Sequence, residues 1–326
     1  MSQFVNAAER IGRLAHDQVV VCPYSRTHET ETLQWRDPQQ NSLWEFIKRT
    51  SRGHEFYPEY RVKHAQIIRG FERFLKRDGT EFQVELGDAL KTDINDWDDY
   101  FWIDVSRMPQ DAEAVRKSKQ EAVSGLINLF QVWRNSTTTF EEHRSIEMAE
   151  CANIYLQLYF DMSKRAASGD LMARLYAPID SQVVESLLAW NCNEMDFSFR
   201  LKHIMAYFQS TYFRQVPQVW IEAGLFAGLK ERVERGQYQN PEKAKKRLRG
   251  LFYDIQFISL YAPYCHAMFI DSTMFEIATD KRVGIADRFG TRLFSRSNWR
   301  EFIEYLDFLE NSKTEELELS LKLVHP

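Results

Sequence analysis

The sequence is short of the residues that interrupt helices, with 13 glycines and 9 prolines in 326 positions. A sandwich of short strands needs many turns, so this scarcity favours long helices joined by compact connections. Cysteine is scarcer still. Cys22, Cys151, Cys192 and Cys265 stand far apart with no CxxC pair, which indicates neither a disulfide framework nor a zinc ribbon and fits a reducing cytoplasm. Neither sign of charge dominates: 42 Lys and Arg face 47 Asp and Glu, a net charge of −5. A nucleic-acid surface would therefore have to be a local patch. Long apolar runs are absent too. The longest, from Leu251 to Ile270, is interrupted by Asp254, Gln256 and His266, and the opening MSQFVNAAERIGRLAHD lacks the apolar centre of a signal peptide. The expectation is a cytoplasmic chain without a membrane span.

What is present is core-forming material, 44% apolar and 14% aromatic, too much for a disordered chain. Near the start, Phe4, Val5, Ala8, Ile11 and Leu14 fall on one helical face, and Val19 to Cys22 reads as a buried strand ended by Pro23. A helix is expected from about Pro58 to Lys76, stopped by Asp78-Gly79. The segments EFQVEL and YFWIDV, between Phe82 and Val105, read as strands.

From about 110 to 236 the pattern is helical. Val123, Leu126, Ile127, Phe130 and Trp133 form one stripe, and Ile146, Ala149, Ala152, Leu156 and Tyr159 another. Thr139 to Glu142 spells a capping box between them. Further helices begin near Asp180-Ser181 and near Pro217. Asn240-Pro241 caps a basic helix that leads into LFYDIQFISLYAPYC. AMFID and RLFSR read as short strands, and NWREFIEYLDFLEN as a helix with Phe302, Tyr305, Leu306 and Leu309 inward. Strand and helix alternate at both ends around a block of helices, which suggests a helix-rich α/β chain whose termini, 1–80 and 240–326, share one core, with 81–239 as a helical lobe.

Three constellations could carry chemistry. Ser25-Arg26-Thr27-His28-Glu29-Thr30-Glu31 follows the first expected strand, where loop side chains gather in open α/β sheets; equally, Ser25 or Thr27 caps a helix whose first turn carries the acids. Asp254 sits near the head of an apolar helix, and Asp271, seventeen residues on, at the end of the next strand. A helix and a return strand would bring both carboxylates to one rim, suited to Mg²⁺ or Mn²⁺, which take oxygen ligands; a first-turn helix residue and a turn residue are the plainer reading of the same pair. Lys243, Lys245, Lys246, Arg247 and Arg249 form a basic run just before Asp254, fit either for a phosphate backbone or for a solvated face. Asp280, Lys281, Arg282 and Asp287 are further charged groups beyond the strand.

The spelling PYSRTHETE resembles the "P-[LY]-S-x-x-H-x-x-E" segment of a divergent group of PIN-like nucleases, and DIQFISLYAPYCHAMFID resembles their "D…PYCDxxxxD" segment. FGTRLFSRSNWREFIEYL resembles the strand and last helix that close such domains. The likeness covers about a third of the chain, all at its two ends. It implies a three-layer α/β/α core with a short, mainly parallel sheet, and a Mg²⁺- or Mn²⁺-dependent endoribonuclease. Glu31, Asp254 and Asp271 would be the catalytic metal ligands, with Ser25, His28 and His266 as accessory groups and the basic run holding nucleic acid, RNA rather than DNA. Two departures stand out. The strand "[VIL]-x-L-D-x-N" with its aspartate does not occur before Phe4, and His266 replaces the aspartate of PYCD. A competing expectation is a catalytically inactive PIN-like scaffold with a protein partner, a subunit of a defence or toxin–antitoxin assembly. The acidic aromatic stretch from Asp93 to Tyr100 and the helical block would supply its contacts.

Overall fold

Helix Pro217–Glu234 is apolar on nearly every side, with Val219, Ile221, Ala223, Leu225, Ala227, Leu229 and Val233 all buried. A helix of that composition belongs in the middle of a core, and the rest of the chain is arranged around it. The computed structural model describes residues 3–35, 38–93, 109–190, 196–248, 250–314 and 319. In chain order the helices are α1 (Gln3–His16), α2 (Arg26–Thr32), α3 (Gln39–Ser51), α4 (Glu59–Lys76), α5 (Pro109–Arg134) and α6 (Phe140–Ala167). Then come α7 (Gln182–Trp190), α8 (Phe197–Gln209), α9 (Thr211–Arg214), the central α10 (Pro217–Glu234), α11 (Pro241–Arg247) and α12 (Leu251–Tyr261). The chain continues through β1 (Ala267–Phe269), α13 (Ser272–Ala278), α14 (Ile285–Phe289), β2 (Arg292–Phe294) and α15 (Trp299–Asn311). Among the described residues β1 and β2 are the only strands, and they pair in parallel, Met268 opposite Leu293. The class is thus helix-rich with a short parallel sheet.

Local chemistry explains the boundaries. The Thr139 hydroxyl accepts from the Glu142 N–H at 3.3 Å, and the Glu142 carboxylate takes the Thr139 N–H at 2.8 Å, closing the capping box that opens α6. Pro217 occupies the first turn of α10, where its missing N–H costs nothing. Asn240 caps α11 by accepting from the Lys243 N–H at 3.0 Å.

Two apolar clusters flank α10. One holds Ile67 and Phe71 of α4, Met148, Tyr155 and Tyr159 of α6, Leu187 of α7, Ile204 and Tyr207 of α8, and Phe213 of α9. The other joins α5 to α11, α12, β1, α13 and α14 through Phe130, Leu248, Ile255, Ile258, Met268 and Ile277. Helix α4, expected in the core built from the chain ends, contributes Val62 to the cluster of α12 and β1 and Ile67 and Phe71 to the helical one. A third, smaller cluster ties the ends of the chain together. Ala7 and Leu14 of α1 meet Phe294 of β2 and Phe302 and Leu306 of α15. Across that contact Arg10 donates to Asp307 at 2.5 Å and to Glu310 at 2.8 Å.

Several expectations need correction. Val19 to Cys22 is not a strand: Val19 N–H turns back to the Leu14 carbonyl at 3.0 Å, Val21 is exposed, and only Tyr24 reaches an isolated bridge, to Glu55. Pro23 removes a donor, so no ladder can run through this segment. EFQVEL is extended chain leading into a turn at Leu86–Asp88, because Phe82 alone is deeply buried there and no neighbouring strand pairs with it. YFWIDV and most of the acidic aromatic stretch lie outside the described residues. The inward face of α1 is set by Ala7, Arg10 and Leu14, leaving Phe4 and Val5 exposed, because Arg10 follows the carboxylates of α15. On α6, Ile146 is exposed, and the buried stripe runs through Met148, Ala152, Tyr155, Tyr159 and Met162.

Candidate functional site

The polar segment after Pro23 folds as α2, with Ser25 fully buried at its N-cap. The Ser25 N–H donates to His28 Nδ1 at 3.0 Å, so that nitrogen accepts and the ring is the neutral Nε2–H tautomer. Burial pushes the His28 pKa below its ordinary value, with Glu31 opposing weakly. Capping is thus the role that Ser25 and His28 visibly perform. The His28 ring also stands edge-on to Phe257 of α12, centroids 5.2 Å apart. Two segments from opposite ends of the sequence are thereby packed together.

Asp254 lies half-buried in the first turn of α12, on the same stripe as Phe257 and Tyr261 at spacings of three and seven residues. That stripe faces α2 through Phe257. Asp271 is exposed at the end of the β1 segment, and its Oδ1 accepts from the Met274 N–H at 2.7 Å, capping α13. Glu31 is exposed on α2, and His266 is exposed just before β1, its carbonyl accepting from the Arg292 N–H at 2.9 Å. Among the described residues no three His, Cys, Asp or Glu side chains converge closely enough to hold a metal ion. Glu31, Asp254 and Asp271 are thus not found together as a group of this kind among the described residues.

Lys243, Lys245, Lys246 and Arg247 line the exposed face of α11, while Ala244 and Leu248 turn inward; Arg249 lies outside the described residues. Arg247 reaches α13, its Nε donating to Thr273 Oγ1 at 3.3 Å and its Nη2 lying 3.6 Å from Glu276. The basic helix is thus linked to the turn of helix that Asp271 caps. Arg282 is held by Asp280 at 2.6 Å and Glu231 at 2.8 Å and lies over the Phe140 ring, which ties the segment after α13 to α10 and α6.

Two carboxylates that the sequence did not single out, Glu55 and Glu59, gather around α2 beside Glu29. Glu55 is buried, accepts from the Tyr24 hydroxyl at 3.1 Å and pairs with Lys91. Glu59 accepts from Thr27 Oγ1 at 2.8 Å. Glu29 has its pKa pushed up to about 7, first by burial and then by the charge of Glu55, against Arg26 and Lys91. A carboxyl group half-protonated near neutrality can donate or accept a proton. In the sequence Glu29 reads as a first-turn acid suited to the helix dipole. Glu55 and Glu59 flank a proline-led helix start far along the chain, and no spacing rule links them to Glu29. Among the described residues no helix is long and apolar enough to cross a membrane. No family model matches the chain, and neither a curated protein nor a solved structure does.

Proposed function

We propose that this chain is a PIN-like interaction subunit that engages a protein partner and does not hydrolyse RNA through Glu31, Asp254 and Asp271. The observation that carries the reading is the turn between α6 and α7. There Leu171 is 95% exposed, Leu175 70% and Tyr176 71%, three large apolar side chains held in water within six residues. Single exposed apolar residues are ordinary, whereas several adjacent ones mark a contact surface. The use of Asp271 as a helix cap is consistent with this reading.

The second reading is a Mg²⁺- or Mn²⁺-dependent endoribonuclease. It is favoured by the contact between His28 and Phe257, which joins the two segments that carry the PIN-like resemblance. One pair of assays separates the readings. Single-stranded RNA is incubated with Mn²⁺ and either wild-type protein or Asp271→Asn. Interaction without hydrolysis requires equal background cleavage by both, and Mn²⁺-dependent cleavage lost in Asp271→Asn would establish the nuclease instead. For the surface, Leu171→Asp with Tyr176→Ser should abolish capture of the partner while leaving the melting temperature unchanged. Retained capture would reject this turn as the contact.

A further inference from the structure

A cavity of about 670 Å³ opens between α13, α14, β2 and α15, within the range of about 300–1,000 Å³ that small-molecule sites occupy. It shares no residue with the α2 cluster or with the turn between α6 and α7. Ile285, Leu293 and Phe294, all buried, give it an apolar floor.

Helix α15 supplies an acidic and aromatic wall. Glu301, Glu304, Tyr305 and Phe308 recur at helical spacing and line the cavity, while Phe302 and Leu306 turn into the core. Phe308 is 61% exposed, and its ring lies nearly parallel to that of Tyr305, at 20° with centroids 6.4 Å apart. An aromatic ring left open to water in a cavity offers a stacking face to a flat ligand. The cations come from other elements. Arg282 is drawn away by Asp280 and Glu231, and Trp220 Nε1 donates to the Val283 carbonyl at 2.9 Å, which fixes the loop that carries Lys281 into the lining. Arg292, at the start of β2, lies 5.3 Å from the centre of the Tyr305 ring. Neither Lys281 nor Arg292 has a carboxylate partner among the described residues.

Two of the four acids in the lining are already engaged, Asp280 by Arg282 and Glu304 by Arg300. Lys281 and Arg292 are then matched against Asp287 and Glu301, so the complement of the cavity is a ligand with an anionic end, a flat body and a donor edge. We propose that it binds a guanine mononucleotide: Lys281 and Arg292 hold the phosphate, Phe308 stacks on the base, and the Glu301 carboxylate accepts from its N1–H and N2–H. Guanine is the base with two adjacent donors on its pairing edge, the match for the two oxygens of a carboxylate. Adenine and cytosine turn a ring-nitrogen acceptor toward the same group, and uracil flanks its single donor with carbonyls. Glu301 already accepts from Asn298 Nδ2 at 3.1 Å, which orients it and leaves lone pairs for the base.

Calorimetric titration of the full chain with GMP, AMP, UMP, guanosine and inorganic phosphate tests this. The variants are Arg292→Gln, Phe308→Ala and Glu301→Gln, all at exposed positions and checked for folding by circular dichroism, with Lys202→Gln on the exposed face of α8 as a charge control. GMP should bind at least tenfold more tightly than AMP, UMP, guanosine or phosphate. Arg292→Gln and Phe308→Ala should each weaken GMP at least fivefold, Glu301→Gln should bring GMP down to the level of AMP, and Lys202→Gln should bind as the wild type does. Absence of GMP binding, equal binding of inorganic phosphate or of AMP, or an equal loss in Lys202→Gln would overturn the proposal.

Discussion

The imidazole of His28 meets Phe257 edge to face, with ring centroids 5.2 Å apart and planes at 80°. Through this pair a seven-residue helix near the start of the chain is seated on the helix that precedes β1. Helix α2 is too short to be stable alone, so its geometry depends on that support. Replacing Phe257 by Ala should cost about 2 kcal/mol, less than a fully buried Phe because the ring is only partly enclosed. Phe257→Leu should recover more than half of the loss. Urea unfolding of the two variants checks this, and equal loss in both would show that the ring contact carries none of it.

Glu29 predicts a pH dependence of defined sign. Its folded pKa is pushed up to about 7 from an ordinary 4.5, so between those values the folded chain binds more protons than the unfolded one. Stability from this group therefore falls as the pH rises through that window. Glu29→Gln should equal the wild type near pH 4.5 and exceed it above pH 7, by at most about 2 kcal/mol once solvent screening is allowed for. Denaturation midpoints measured across the window test this; a constant difference between the two proteins would refute it. His28 slopes the other way, because its lowered pKa makes the folded state less stable as the pH falls below its ordinary 6.5.

Asp271 gives a prediction that also protects the nuclease assay. As the cap of α13 its carboxylate accepts the Met274 N–H, so Asp271→Ala should lose about 1 kcal/mol. Asp271→Asn keeps an acceptor oxygen and should lose little. Melting curves of both variants decide the matter. A large loss in Asp271→Asn would mean that the negative charge, rather than the cap, is what the site requires.

These residues also mark how far the sequence could be read. Helix starts were legible where a side chain satisfies the backbone locally, as at Thr139, Pro217 and Asn240, and β1, β2 and α15 fell where the apolar patterns put them. Val19 to Cys22 misled because a β-branched run satisfies strand propensity without any partner, and partners are set by distant chain. The same limit hid Glu55 from Glu29. Their repulsion depends on the bridge that pairs Tyr24 with Glu55, a contact no local pattern encodes. Asp254 and Asp271 were correctly placed on a helix head and a strand end, but position along the chain could not show that Asp271 is engaged as a cap.

The close approach of α10 and α13 gives a last test. A Cβ at Gly228 would lie 2.9 Å from Ile277 Cγ2, a buried side chain at the junction of two helices. Ile277 is enclosed by the central cluster and has little freedom to move aside. Gly228→Ala should therefore destabilise by about 1–3 kcal/mol from overpacking, even though Ala is the better helix former. Gly79 has nothing within 4 Å of its Cβ position, so Gly79→Ala serves as the unstrained control. If the two substitutions shift the urea midpoint equally, α13 is not packed against α10 at this point. If Ile277→Val in the Gly228→Ala background restores part of the loss, the clash is located at that side chain.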